Sequence, residues 1–340
     1  MSRLACTSVF IFWSVLPLVR IQAQDHSDEN LRVDDVPAAF AALPPQARAV
    51  KFLRGTTGFP DGGHFQGIQS AFDAEANKQM CFVTRDSNTV ALFITIQFPA
   101  GLTSFGTIEH LQVLPSDGRQ PPLRHPGGAQ LVGDYLVIGV EDNQARLRSQ
   151  VQFWDVSQPT FPVQRTPLTI IRESGTPEDK TAGAVGIVKR DADHLLVVAN
   201  WGCRVLDFYL SNGFPLGDDL CRFELSVRWS PGAADKQDWK PDQEWGNYQN
   251  TTLVADRAGR VFLFAGENDV NGQDFIDLYL IDLAEHPSRI VKKLGSKQMT
   301  LTGGARLSAA GGIFVKSRRE LVSYSTEDGV REKMTLNVSP

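Results

Sequence analysis

Five segments of the 340-residue chain begin alike, and their starts lie 61, 56, 63 and 57 residues apart. They are His64-Phe65-Gln66-Gly67-Ile68-Gln69, His125-Pro126-Gly127-Gly128-Ala129-Gln130, Thr181-Ala182-Gly183-Ala184-Val185-Gly186, Glu244-Trp245-Gly246-Asn247-Tyr248-Gln249 and Leu301-Thr302-Gly303-Gly304-Ala305-Arg306. A period of this kind marks a repeated unit that cannot bury its apolar faces alone and must stack on copies of itself. Three further apolar runs follow each start. The second runs cover residues 81–84, 136–139, 196–199, 262–265 and 313–316, and the third 90–96, 151–156, 205–210, 276–281 and 321–324. The fourth cover 107–113, 167–172, 222–228, 289–294 and 333–338.

The runs are short, rich in Val, Ile, Phe and Tyr, and bounded by Gly, Asp, Asn or Pro, which is strand and turn chemistry. No stretch keeps a helical period for long. Four strands per unit, repeated around a ring, predict an all-β fold of β-propeller type. Five four-stranded blades account for residues 61–340; six or seven blades are the alternative count. Residues 49–56 are read as an extra strand that closes the ring against the last blade. The segment Gln152-Phe153-Trp154-Asp155-Val156-Ser157-Gln158-Pro159, with Phe161-Pro162-Val163 behind it, resembles the LVIVD-type repeat of secreted bacterial propellers. In that repeat a strand ends in Asp-Val-Ser-x-Pro, and Leu280-Ile281-Asp282-Leu283 echoes it loosely. The resemblance implies a propeller and no particular activity.

Residues 1–23 read as a signal peptide: Arg3 supplies the positive start, residues 5–19 are apolar and uncharged, and Ala23 offers a small residue for cleavage. Residues 24–48 form a polar, acidic leader with room for one short helix, and 49–340 a single propeller domain. The expectation is a secreted or periplasmic monomer with no membrane span after cleavage. Loss of Arg3 and Arg20 takes the formal charge from −5 to −7, which argues against a nucleic-acid partner. Export leaves Cys81, Cys203 and Cys221, with Cys203–Cys221 the expected bridge and Cys81 a small buried hydrophobe.

Strand entries and the loops between second and third strands share one face of a propeller, so they gather chemistry at one axial mouth. The candidate catalytic set is His64, His125, Asp86, Glu141 and Glu267, imidazoles and carboxylates suited to acid–base work on a glycosidic bond. The candidate ligand-binding set is Gln69, Gln130, Trp201, Glu244, Gln249, Arg306 and Arg318, with Trp201 able to stack on a sugar ring. Glu267, Asp269, Asn271 and Asp274 have the alternate oxygen spacing of the start of a calcium loop, although Glu stands first and Leu278 twelfth. Trp229, Trp239 and Trp245 flank a long connection that could overhang the mouth, and His110, His194 and His286 read as surface residues. Serine-hydrolase elbow, zincin, thioredoxin-like and nucleotide-loop signatures are missing. Three function classes follow: a binder of an extracellular small molecule or glycan at the mouth, a hydrolase or lyase at the same place, and an interaction scaffold.

Overall fold

The structure, a computed structural model, describes residues 31–53, 63–73, 78–99, 105–234, 245–327 and 333–339. The signal segment, residues 24–30 of the leader, Trp239 and Glu244 lie outside the described residues. The described residues begin with a helix α1 (Val36–Ala42) and a strand β1 (Arg48–Leu53), then run through five antiparallel groups. The first is β2 (Phe65–Asp73), β3 (Lys78–Arg85), β4 (Leu92–Pro99) and β5 (Phe105–Val113). The second is β6 (His125–Val132), β7 (Tyr135–Glu141), β8 (Ser149–Asp155) and an outer edge divided into β9 (Val163–Gln164) and β10 (Ile170–Arg172). The third is β11 (Ala184–Lys189), β12 (His194–Ala199), β13 (Leu206–Ser211) and β14 (Phe223–Trp229). The fourth is β15 (Asn250–Ala255), β16 (Val261–Asn268), β17 (Asp274–Ile281) and β18 (Val291–Met299). The fifth is β19 (Ala305–Ser317), β20 (Glu320–Glu327) and β21 (Lys333–Ser339), completed by β1 from the other end of the chain. The innermost strands β2, β6, β11, β15 and β19 neighbour one another in that order, and β19 returns to β2. This is an all-β propeller.

Apolar residues explain why the groups stand side by side. In β16, Val261, Leu263 and Ala265 point into a cluster shared with the third group, while Phe262 and Phe264 point into one shared with the fifth. In β12, Leu195 and Val197 serve one interface and Leu196 and Val198 the other. A strand buried on both faces reads as a continuous apolar run, with alternate side chains going to opposite neighbours. Each fully buried Leu, Val or Phe contributes roughly 1.5–3 kcal/mol.

The N-terminal residues cross the face where first strands turn into second strands. Arg32 pairs with Asp191 at 2.6 Å, Val33 bridges to Asp256, and the Asp34 N–H donates to the Arg318 carbonyl at 2.7 Å. The helix α1 then packs Phe40 edge-to-face on Phe264, with ring centres 5.7 Å apart. Its start is capped by Asp35, which accepts from the Ala38 N–H, and Lys297 donates to the last carbonyls. Among the described residues no helix is long and apolar enough to cross a membrane.

Three expectations need correction. Residues 313–316 belong to the first strand of the fifth group, not the second, and β1 is its fourth strand rather than an addition. The chain carries two Gly-Gly pairs eight residues apart, and the second one packs at the axis. A Cβ on Gly312 would come 1.9 Å from the Ile68 carbonyl oxygen, whereas Gly303 and Gly304 have φ of +68° and +82° and form a turn. The bridge expected between Cys203 and Cys221 is not formed. Cys203 follows β12 and Cys221 precedes β14, at opposite ends of β13, so they join different clusters and lie beyond disulfide reach. His194 is fully buried at the start of β12 rather than at the surface.

Candidate functional site

The site begins with two cross-strand relationships. His64 precedes β2, and Asp86 follows β3, its antiparallel partner. The His64 backbone N–H donates to Asp86 Oδ1 at 2.5 Å, and the His64 ring Nδ1 lies 3.0 Å from the same oxygen. Gly63 makes this approach feasible, because a Cβ there would stand 2.1 Å from the Asp86 carbonyl oxygen. Burial alone would push the Asp86 carboxyl up. The hydrogen bonds from His64 and the charges of His64 and His125 outweigh it and hold the group below the usual carboxylate range.

In the next group, His125 opens β6 and Glu141 ends β7 directly opposite it. His125 Nδ1 and Glu141 Oε1 are 3.4 Å apart, and neither atom has a hydrogen-bond partner among the described residues. The other Glu141 oxygen accepts from the Ala182 N–H at 2.6 Å, which ties the second group to the entry of the third. Glu141 is fully buried and His125 is 6% exposed, whereas the His64 side chain is 40% exposed. The two imidazoles face each other with ring centres 5.7 Å apart. One ligand-capable atom from each of His64, Asp86 and His125 lies within 4.8 Å of the others. The structure thus brings four of the five candidate catalytic residues together at the mouth.

Glu267 is engaged elsewhere. It is the penultimate residue of β16 in the fourth group, where it accepts from the Asn247 N–H at 3.1 Å. Burial, and then the neighbouring Asp277 charge, push its carboxyl up. Asp277 is in turn held by Lys293 at 2.6 Å and by the Tyr248 hydroxyl.

The expected calcium loop does not form a cluster. Asp269 folds back onto the N–H groups of Asn271 and Gln273 in a turn, both at 2.8 Å. Asp274 accepts from the Leu307 N–H at 2.7 Å. With Glu267 bound to Asn247, these oxygens serve separate backbone groups instead of one ion.

The ligand-binding candidates divide. Gln130 is a structural stitch: its Oε1 accepts from the N–H groups of Ile187 and Leu253, both at 2.8 Å, and its Nε2 donates to the Leu253 carbonyl. Gln69 and Gln130 line an axial cavity of about 90 Å³, together with Leu31 and the turn residue Gly133, on the side away from the imidazoles. Gln249 is half-buried beside β15, and its backbone N–H donates to Gly266. Arg306 is exposed at the entry of β19. Arg318 lies in the turn between β19 and β20 on the opposite face, because the fifth unit is displaced by one strand.

Trp201 is at the mouth, but the Arg146 guanidinium covers its ring at 3.9 Å and that of Arg204 lies at 5.8 Å. The ring is therefore occupied by cations rather than open for stacking. Trp229 and Trp245 pack on each other at 4.9 Å between the third and fourth groups and do not overhang the mouth.

Sequence reasoning missed Gln66 and Arg148. The Gln66 amide is buried, and its Nε2 meets His125 Nε2 at 3.1 Å. Its position two residues after His64, on the same side of an extended strand, was the available signal. Arg148 grips Asp117 at 2.7 and 2.9 Å and the carbonyls of Arg119 and Pro121, pinning the connection that delivers His125.

No protein-family model and no curated protein matches the chain. Similar solved structures include a glycosyl hydrolase from Bacteroides ovatus, with 9% identity and a TM-score of 0.45 over 81% of this chain and 84% of that one. A second is the catalytic domain of a GH62 α-L-arabinofuranosidase from Coprinopsis cinerea, with 10% identity and a TM-score of 0.48 over 87% and 98%. A third, at 8% identity and a TM-score of 0.45 over 82% and 85%, comes from a study of GH130 mannoside phosphorylases and glycoside hydrolases that target β-1,2-mannosidic linkages.

Proposed function

We propose that this is an exported propeller that binds a hydroxyl-rich extracellular ligand, a glycan by class, at the axial mouth. The observation that carries the reading is the convergence of two imidazole–carboxylate pairs, His64–Asp86 and His125–Glu141, on that face. Such a lining offers directional donors and acceptors, which suits hydroxyl groups better than apolar surfaces. A second reading, hydrolysis or lyase chemistry on the bound glycan, is favoured by the half-exposed His64 ring held by an ionised Asp86. That arrangement suits a general base.

The test is a panel of extracellular glycans, scored for binding by calorimetry and for products by chromatography, with wild-type, His64→Ala and Asp86→Asn proteins. A bound glycan whose affinity falls at least about tenfold in both variants supports the site. Binding that both variants leave unchanged overturns it. Turnover that drops by about 10²–10⁴ in His64→Ala supports the general base, and turnover that survives this substitution removes it.

A further inference from the structure

We infer that His64, Asp86 and His125 form a binding site for a divalent metal ion of the zinc class. The inference goes beyond the glycan reading and stands whether or not a glycan is the ligand. Three observations carry it independently of one another.

The first is donor geometry. Two imidazole nitrogens and one carboxylate oxygen already lie within 4.8 Å of one another, with His64 Nδ1 and Asp86 Oδ1 only 3.0 Å apart. Ligand bonds of about 2.0–2.1 Å in a tetrahedron place neighbouring ligands about 3.3 Å apart. Small side-chain rotations therefore close the site, and the half-exposed His64 has room to make them. Among the described residues this is the one group of His, Cys, Asp and Glu with such spacing.

The second is the support behind the ligands. His125 is buried, and its Nδ1 faces Glu141, whose other oxygen is locked by the Ala182 N–H. A carboxylate behind a histidine, fixing its tautomer and ring direction, is the usual outer partner of a metal-bound imidazole. The His125 Nδ1 and Glu141 Oε1 atoms, at 3.4 Å and without a hydrogen-bond partner among the described residues, would draw together once the far side of the ring binds a cation. That far side is where the buried Gln66 amide sits, 3.1 Å from His125 Nε2. An amide can turn its carbonyl oxygen or its N–H₂ toward the ring, so Gln66 is placed to hydrogen-bond the group that fills the fourth position.

The third is charge. Asp86 and the fully buried Glu141 bring two carboxylates up to the imidazoles of His64 and His125. A buried charge needs a counter-charge, and a divalent cation supplies it. Two nitrogen donors select zinc or a similar transition ion over calcium, which takes six to eight oxygens. Uptake displaces the proton on the His64–Asp86 hydrogen bond to solvent. The exposed side of His64 leaves one coordination position for water or a ligand group, as in catalytic rather than structural sites.

The experiment uses the full chain, stripped with a chelator and titrated calorimetrically with Zn²⁺ in the absence of any glycan. Co²⁺ serves as the absorbing substitute. Wild-type protein is expected to take up about one equivalent and to develop the visible absorption of four-coordinate nitrogen–oxygen ligation. His125→Ala and Asp86→Asn are expected to weaken uptake at least about 100-fold, while His286→Ala, at an exposed imidazole, leaves it unchanged. Glu141→Gln is expected to weaken Zn²⁺ binding about tenfold while the metal-free melting temperature stays put, which marks a positioning role. His64→Ala repeats the test at an exposed ring should a buried substitution unfold the protein. Absence of saturable Zn²⁺ uptake, or uptake that persists in folded His64→Ala and His125→Ala proteins, overturns the metal site and leaves the glycan reading standing. Conversely, metal uptake without glycan binding supports this site and overturns only the other.

Discussion

Arg148 and Asp117 show what single residues contribute around the mouth. The guanidinium hydrogen-bonds both Asp117 oxygens, and Arg119 adds another bond to the same carboxylate. These bonds, the Arg148 pair first, hold the Asp117 carboxyl far below the usual carboxylate range despite its burial. A carboxyl depressed in the folded state stabilises the fold above its unfolded value of about 3.9 and loses that contribution as the pH falls through the folded value. Wild-type stability, followed by urea unfolding from neutral pH into acid, should therefore fall in acid more steeply than that of Asp117→Asn. Equal acid slopes in the two proteins would contradict this assignment. Residues of this kind are hard to see in the sequence. His64 and His125 stand out because each opens a repeat, but Asp117 and Arg148 are 31 positions apart and meet only because a connection between groups folds over a strand entry.

At the scale of elements, strands were legible and their grouping was only partly so. The alternation of side chains between two interfaces makes runs such as Val261–Asn268 apolar throughout, so strand identity follows from composition. The fifth group was misregistered because Gly303-Gly304 imitates Gly127-Gly128, while the glycine that touches the axis is Gly311, opposite Gly67. Gly312→Ala should destabilise the protein by about 3 kcal/mol, since backbone stands where the methyl would go. Gly232→Ala, with open space around the added carbon, should stay within about 0.5 kcal/mol. Chemical denaturation of the two variants decides the matter, and equal midpoints would show that the axis relaxes to admit a methyl.

For the whole molecule, the closing strand carries the largest consequence. β1 pairs along β21 from Arg48↔Val338 to Leu53↔Lys333, and also lies parallel to β5 of the first group. Val50 is buried with Phe65, Leu336 and Val338 between the fifth and first groups. Deleting residues 1–53 would leave β21 as an open edge and expose that cluster, so the truncated protein should melt earlier and scatter light on heating. A melting temperature matching that of the full chain would refute this role. The sequence by itself determined the repeat, the all-β character and the identity of both imidazoles, because period and alternation are properties of local chain order. Only the tertiary structure decided the rest. It moved Arg318 to the far face, separated Cys203 from Cys221 by the length of a strand, and covered Trp201 with Arg146. It also dispersed the oxygens of residues 267–274 and set Gln66, Glu141 and Ala182 behind the His64–Asp86–His125 cluster. Those outcomes depend on which strand ends meet around the axis, and that is settled by packing between groups far apart in the chain.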